Sequence, residues 1–224
     1  MKVINIDQNN PDPLVVSEIA ELFKTGAVIA FPTDTFYGLG VDITNERAIE
    51  RIFSIKERMR TKPILILISD KKELRSFIAD RDIPNTAERL INAFWPGPLT
   101  IIFRASESVS PLLTAYTGKI GIRLPDNELC RNVIAKLEHS ITATSANIAG
   151  EKSLENPEDV IKAIGDKIDV LIDGGTTRGG YESSVVDVTG KQPVILREGA
   201  ISGSMINEVI RGYVVETDST DTMS

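Results

Sequence analysis

The stretch AVIAFPTDTFYGLGV, Ala27 to Val41, decides the reading of the fold. Ala27 to Phe31 is apolar at every position, as a short strand buried on both faces requires, and Pro32-Thr33-Asp34-Thr35 stops it. Phe36 to Val41 resumes in extended form, where Gly38 and Gly40 permit a second backbone to approach closely. A second uninterrupted apolar run, Ile64 to Ile68, carries three β-branched isoleucines and reads as another strand buried on both faces. Buried strands of this kind belong to sheets covered by helices.

Outward from that stretch, strands and helices alternate at α/β spacing. Lys2 to Ile6 reads as a strand, and Leu14 to Lys24 as a helix closed by Gly26. Glu46 to Ile55 has Ala48, Ile49, Ile52 and Phe53 at helical spacing. Helices Lys71 to Phe77 and Asn85 to Phe94 lead into the turn Trp95-Pro96-Gly97-Pro98. Strands Leu99 to Phe103 and Lys119 to Leu124, helix Glu128 to Leu137 and strand Ile141 to Thr144 follow. Helix Pro157 to Ile164 precedes strand Val170 to Asp173, the glycine-rich loop Gly174 to Gly180, and strands Ser184 to Val188 and Pro193 to Arg197. The late crowding of strands predicts a mixed rather than a purely parallel sheet.

At 224 residues the chain suits one domain, expected over 1–212, followed by an acidic tail, 213–224, expected to be mobile. No apolar run reaches the roughly 18 residues of a membrane helix. Met1 to Asn10 lacks the basic and apolar regions of a secretory signal, so the expected compartment is the cytoplasm. One cysteine, Cys130, and one histidine, His139, exclude an internal disulfide and a Cys/His zinc site. They also leave only His139 for any serine or cysteine dyad. The net charge of -7 argues against a general electrostatic binder of DNA or RNA.

Within this acidic chain, Lys56-Glu57-Arg58-Met59-Arg60-Thr61-Lys62 carries four cations against one anion. It is either a solvated helix end or an anion clamp that joins a mobile ammonium to a rigid guanidinium fork. Walker and Rossmann signatures are absent: Gly38-Leu39-Gly40 is followed by Val41-Asp42-Ile43. Backbone candidates for a phosphate cradle are the turn Ser145-Ala146-Asn147 and the loop Gly174 to Gly180. Each of these is more commonly a capped turn or a plain connection.

Six motifs then occur in order: Phe31 to Gly40, Lys56-Glu57-Arg58, Trp95 to Thr100, Ile122-Arg123-Leu124-Pro125, Thr144-Ser145-Ala146-Asn147 and Glu182-Ser183-Ser184-Val185-Val186-Asp187. This order resembles the YrdC-like family, the threonylcarbamoyl-AMP synthases, from about Ile4 to Arg211. The resemblance implies an α/β fold with a twisted mixed sheet, flanking helices and a concave cationic cleft. It implies nucleotidyl transfer, in which L-threonine, bicarbonate and ATP give threonylcarbamoyl-adenylate and pyrophosphate. Mg2+ would be held through the ATP phosphates, with no protein metal ligand. A separate threonylcarbamoyl-transferase complex would consume the product in tRNA modification, with a contact to tRNA and none to DNA or membrane.

Residue roles carry over in the same way. Lys56 and Arg58 would be catalytic and face the phosphates. Thr35, Leu67, Arg123, Ser145 and Ser183 would surround threonine. Arg58, Lys62, Lys119, Ala143, Asn147, Ser153 and Arg197 would surround ATP. Lys56→Ala and Arg58→Ala are expected to abolish turnover with thermal stability nearly unchanged. Met59 stands where relatives commonly have proline, and Leu67 where many have histidine; both departures touch the amino-acid side. Longer relatives add a second domain, so this chain is expected to be the short form. The alternatives are an RNA-binding or ribosome-associated module on the same surface, and a paralogue with a different carboxylate substrate. Aromatic residues at 5% and the lack of a basic stripe weaken the first.

Overall fold

The computed structural model describes residues 1–79 and 83–212, and the expected tail at 213–224 lies outside the described residues. Among the described residues ten strands form one sheet. They are β1 (Lys2–Asn5), β2 (Ile29–Phe31), β3 (Gly38–Gly40), β4 (Leu65–Leu67), β5 (Leu99–Arg104), β6 (Lys119–Arg123), β7 (Ile141–Ser145), β8 (Val170–Asp173), β9 (Ser184–Asp187) and β10 (Val194–Arg197). Their spatial order is β1-β8-β2-β3-β7-β4-β6-β5-β9-β10. The sheet is mixed: β1-β8, β8-β2, β4-β6 and β5-β9 run parallel and the other neighbours antiparallel. No helix of the described residues is long and apolar enough to cross a membrane.

The helices are α1 (Pro13–Lys24), α2 (Glu46–Lys56), α3 (Leu74–Phe77), α4 (Asn85–Phe94), α5 (Pro111–Thr114), α6 (Glu128–Leu137), α7 (Pro157–Ile164) and α8 (Gly203–Arg211). The sequence reading lacks α5 and α8. It also treats Lys71 to Phe77 as one helix, where a 3₁₀ turn at Lys71–Glu73 leads into α3. Side-chain caps start most helices: Asp12, Asn45, Asn127, Asn156 and Ser202 each accept a first-turn amide.

Two apolar clusters sandwich the sheet. Val16, Ile19, Ala20 and Phe23 of α1 and Leu129, Val133, Ile134 and Leu137 of α6 cover the β1-β8-β2 end. The opposite cluster brings Ile49, Ile52 and Phe53 of α2, Leu90 of α4, Val160 of α7 and Ile206 of α8 against Ile66, Ile101, Ile122 and Val186. The alternating residues of β4, β5, β6, β7 and β9 face the other way, over a part of the sheet where a cavity opens instead of a packed helix. Gly40 lets β3 lie close to β7: a Cβ there would stand 2.2 Å from the Thr142 carbonyl oxygen.

Candidate active site

A cavity of about 860 Å³ stands on that bare face. Its floor follows the strand period of two: Leu65 and Leu67 on β4, Thr100 and Ile102 on β5, Lys119, Gly121 and Arg123 on β6, Ala143 and Ser145 on β7, and Val185 and Asp187 on β9. All thirteen residues singled out in the sequence line it: Thr35, Lys56, Arg58, Lys62, Leu67, Lys119, Arg123, Ala143, Ser145, Asn147, Ser153, Ser183 and Arg197. Six cationic side chains line it against the carboxylates of Glu151, Glu182 and Asp187, in a chain whose net charge is -7.

Helix α2 delivers two of the cations. Glu57 takes a left-handed conformation at φ 52°, and the amides of Glu57 and Arg58 return to the Ser54 and Phe53 carbonyls. This closure ends the helix at Lys56 and turns Arg58 out of its axis. A non-glycine residue in this region stores local strain, here directly beside the cavity.

Lys56 is 2% exposed, and its ammonium is committed. Nζ donates to the Ser145 carbonyl, to the Asn147 carbonyl at 2.7 Å and to Asn147 Oδ1 at 3.0 Å. Burial and the neighbouring Arg58 lower the Lys56 pKa to about 8, opposed by Glu182. The sequence reading places this ammonium toward phosphate; in the structure it lines the cavity and its donors go to the Ser145-Ala146-Asn147 turn, which it braces. Ser145 Oγ donates to Asn147 Oδ1, and Asn147 Nδ2 donates to the Glu151 carbonyl at 2.7 Å. The Ala146 amide already donates to the Tyr37 carbonyl, so that group of the turn is not free for phosphate.

Arg58 is half-buried and is held by its own loop, donating to the Pro63 carbonyl at 2.8 Å and the Lys62 carbonyl at 3.3 Å. Lys62 is exposed at the cavity. Lys119 pairs with Asp187 Oδ2 at 2.8 Å on the far side of the floor.

On the side of the Pro32 to Thr35 loop, Arg123 is 6% exposed. Nη2 donates to Asp34 Oδ1 at 2.6 Å, Nε to the Gly97 carbonyl at 3.1 Å and Nη1 to Thr35 Oγ1 at 3.4 Å. Thr35 Oγ1 also lies 3.1 Å from Thr33 Oγ1. The glycine-rich loop docks here: Gly179 N–H donates to the Thr35 carbonyl at 2.7 Å, and Tyr37 OH donates to the Gly175 carbonyl at 2.8 Å. Its amides at Gly175, Thr177 and Gly180 donate to Asp173, Glu155 and Glu155. Those amides are spent inside the chain and no residue of Gly174 to Gly180 lines the cavity, so the loop, a candidate cradle on sequence, acts here as a strap.

Another part of the rim is built from β10 and the residues that lead into β9. Ser183 Oγ lies 3.0 Å from Thr100 Oγ1 and accepts from Arg197 Nη2 at 3.1 Å. Between Ile195 and Arg197 the register of β10 slips by one residue, a bulge that brings both Leu196 and Arg197 to the cavity. Glu182 bridges Arg197 Nη1 and Ser153 Oγ, the latter at 2.7 Å.

The family described as Telomere recombination (Sua5, YciO and YrdC) matches residues 21–199, four-fifths of the chain. The chain belongs to this family. The threonylcarbamoyl-AMP synthase of Pyrococcus abyssi is 39% identical over 191 residues, covering 85% of this chain and 56% of that protein. That of Bacillus subtilis is 33% identical over 217 residues, covering 96% and 61%. The chain therefore spans about three-fifths of the length of these relatives. The crystal structure of P. abyssi Sua5 complexed with L-threonine superposes with a TM-score of 0.89 at 36% identity, covering 94% of this chain and 61% of that one.

For this member of the Sua5/YrdC family, sequence reasoning passed over three acidic residues that the geometry makes prominent: Asp34, Glu182 and Asp187. All three lie inside quoted motifs. The period-two alternation of Ser183, Val185 and Asp187 is the available signal for Asp187, since it puts Val185 and Asp187 on one face of β9, the face that Ser183 leads into. Asp34 sits in a bend and Glu182 in the connection before β9, where no periodicity applies.

Proposed function

We propose that this chain is a threonylcarbamoyl-AMP synthase, forming threonylcarbamoyl-adenylate and pyrophosphate from L-threonine, bicarbonate and ATP for the modification of tRNA. The observation that carries the reading is the convergence of the thirteen residues on one cavity, floored by a strand face and lined by six cationic side chains. The relatives named for this activity and the related chain solved with L-threonine support it.

The chemistry asks for positioning and charge neutralisation rather than a histidine dyad. Bicarbonate gives CO2 as it loses hydroxide, the amine of threonine adds to that CO2, the amine proton and the hydroxide leave as water, and the resulting carbamate oxygen attacks the α-phosphate of ATP. The bond from that phosphorus to the bridging oxygen breaks, and the electron pair leaves on pyrophosphate. Arg58, Lys62 and Arg197 meet the phosphates, while Lys56 holds the Ser145 to Asn147 turn against them. The remaining Nη1 and Nη2 protons of Arg123 offer an edge to the threonine carboxylate, beside Thr35 and Ser183. Leu67 and Ala143 supply apolar floor at the junction of the two substrates.

Mg2+ would be bound through the triphosphate. Among the described residues no group of three or more His, Cys, Asp or Glu could hold a metal, and Glu182 and Asp187 are each engaged by a cation. This donor set suits an ion held by phosphate oxygens and water. A cytoplasmic transferase acting on tRNA would consume the adenylate, a mixed anhydride that carries its own activation.

The test is pyrophosphate release from ATP and Mg2+ by the purified chain, with L-threonine, with serine and without amino acid, each with and without bicarbonate. Release that requires both threonine and bicarbonate is expected. Release without threonine, or none while ATP still binds, would overturn the assignment.

A further inference from the structure

Glu182 is a charged group of the cavity for which the proposed reaction has no use. Its Oε1 accepts from Ser153 Oγ at 2.7 Å and its Oε2 pairs with Arg197 Nη1. Those two partners are among the residues read as ATP-binding. The other nitrogens of Arg197 are also occupied, Nε by the Ser183 carbonyl at 2.9 Å and Nη2 by Ser183 Oγ at 3.1 Å. Ser183 is buried and fixed in the wall, so Glu182 is the partner that can leave.

We propose that Glu182 is a specificity-determining competitor for the anion subsite made by Ser153 and Arg197: its carboxylate fills that subsite in the empty cavity, yields to nucleotide phosphates and returns to expel pyrophosphate. The inference rests on reading the cavity as a nucleotide site.

Three observations carry it. The Glu182 and Arg197 side chains are 43% and 42% exposed, and an ion pair this open contributes little to stability, so a polyphosphate bearing several charges can displace it. The exchange needs only a side-chain rotation, because the Glu182 carbonyl is tied to the Ala200 amide at 2.8 Å and neighbouring Ser184 is locked to the Ile201 carbonyl at 2.6 Å. The displaced carboxylate has a place to go: Glu182 also lines an adjoining cavity of about 390 Å³ whose wall includes Lys152.

The competitor sharpens selection by charge. A singly charged carboxylate or phosphate gains too little to evict Glu182, whereas a triphosphate gains enough. Re-formation of the two Glu182 contacts then favours departure of the product.

The experiment is equilibrium binding of inorganic pyrophosphate, and separately of ATP with Mg2+, to the full chain as wild type, Glu182→Gln and Glu198→Gln. Glu198 lines the adjoining cavity and makes no contact with Arg197 among the hydrogen bonds and ion pairs described, so it controls for general loss of negative charge. Glu182→Gln is expected to bind pyrophosphate about three- to fivefold more tightly and to show stronger product inhibition, with Glu198→Gln changed by less than about twofold. Unchanged or weaker pyrophosphate binding by Glu182→Gln, or equal tightening by Glu198→Gln, overturns the proposal. A wild type that binds neither ATP nor pyrophosphate defeats the underlying nucleotide reading instead, which separates the two failures.

Discussion

Arg123 and Asp34 form an ion pair at 2.6 Å with side chains 7% and 1% exposed, the most deeply buried pair among the described residues. The sequence reading gave Arg123 to a substrate carboxylate; the fold supplies it with a carboxylate of its own. Asp34 Oδ1 takes the Nη2 donor, while Asp34 Oδ2 is buried without any hydrogen-bond partner. An orphaned carboxylate oxygen is a cost that stability alone would remove. The same carboxylate holds the Arg123 guanidinium inside the protein at the edge of the cavity.

Removing Asp34 therefore strands a buried charge. Asp34→Ala is expected to destabilise the protein by about 3–5 kcal/mol in equilibrium urea unfolding, the range for breaking one side of a buried pair. A change below about 1 kcal/mol would mean that water or a shifted loop already compensates Arg123.

Lys56→Ala is expected to lose both activity and stability, contrary to what the sequence suggests. Truncation leaves the Ser145 and Asn147 carbonyls without their shared donor, each of them a buried or half-buried acceptor. Relief of the buried charge offsets part of that loss. A net destabilisation of about 1–3 kcal/mol is expected by thermal or urea unfolding. An unchanged midpoint would show that the Ser145 to Asn147 turn stands without its brace.

Arg58→Ala separates from Lys56→Ala. Arg58 is half-buried and its two bonds stay within its own loop, so its loss should cost less than about 1 kcal/mol of stability. Pyrophosphate release should nevertheless fall by more than about a hundredfold, since this fork is read as meeting the phosphates. Retained turnover would remove Arg58 from the site.

The contrast between these two cations shows where sequence reasoning ran out. Helices α4, α6 and α7 match the boundaries read from sequence, because caps and apolar spacing are local properties. Helix α5 spans four residues, too short for a period to show, and α8 opens with Gly203-Ser204, which resembles a loop. Membership of the cavity was legible because the motifs share one strand face. What each side chain bonds was not: the acceptors of Lys56 lie 89 and 91 residues further on, and two of them are backbone carbonyls, which every residue carries. The pairing of β7 between β3 and β4 is what creates those contacts, and that order is a long-range property.

The pH dependence of the site follows from Lys56. Its folded pKa of about 8 lies below the ordinary 10.5, so the native state releases this proton before the unfolded chain does. The cost of burying the ammonium is present in full below pH 8 and fades as the pH rises from 8 towards 10.5. Over that interval the stability of wild type relative to Lys56→Met should rise. Function should move the other way: the neutral amine has one donor fewer for the Ser145 to Asn147 turn and no charge for the phosphates. ATP affinity should weaken several-fold with a midpoint near pH 8. Titration of ATP binding beside paired unfolding curves from pH 7 to 10 checks both, and parallel changes in the two quantities would contradict the role assigned to the Lys56 ammonium.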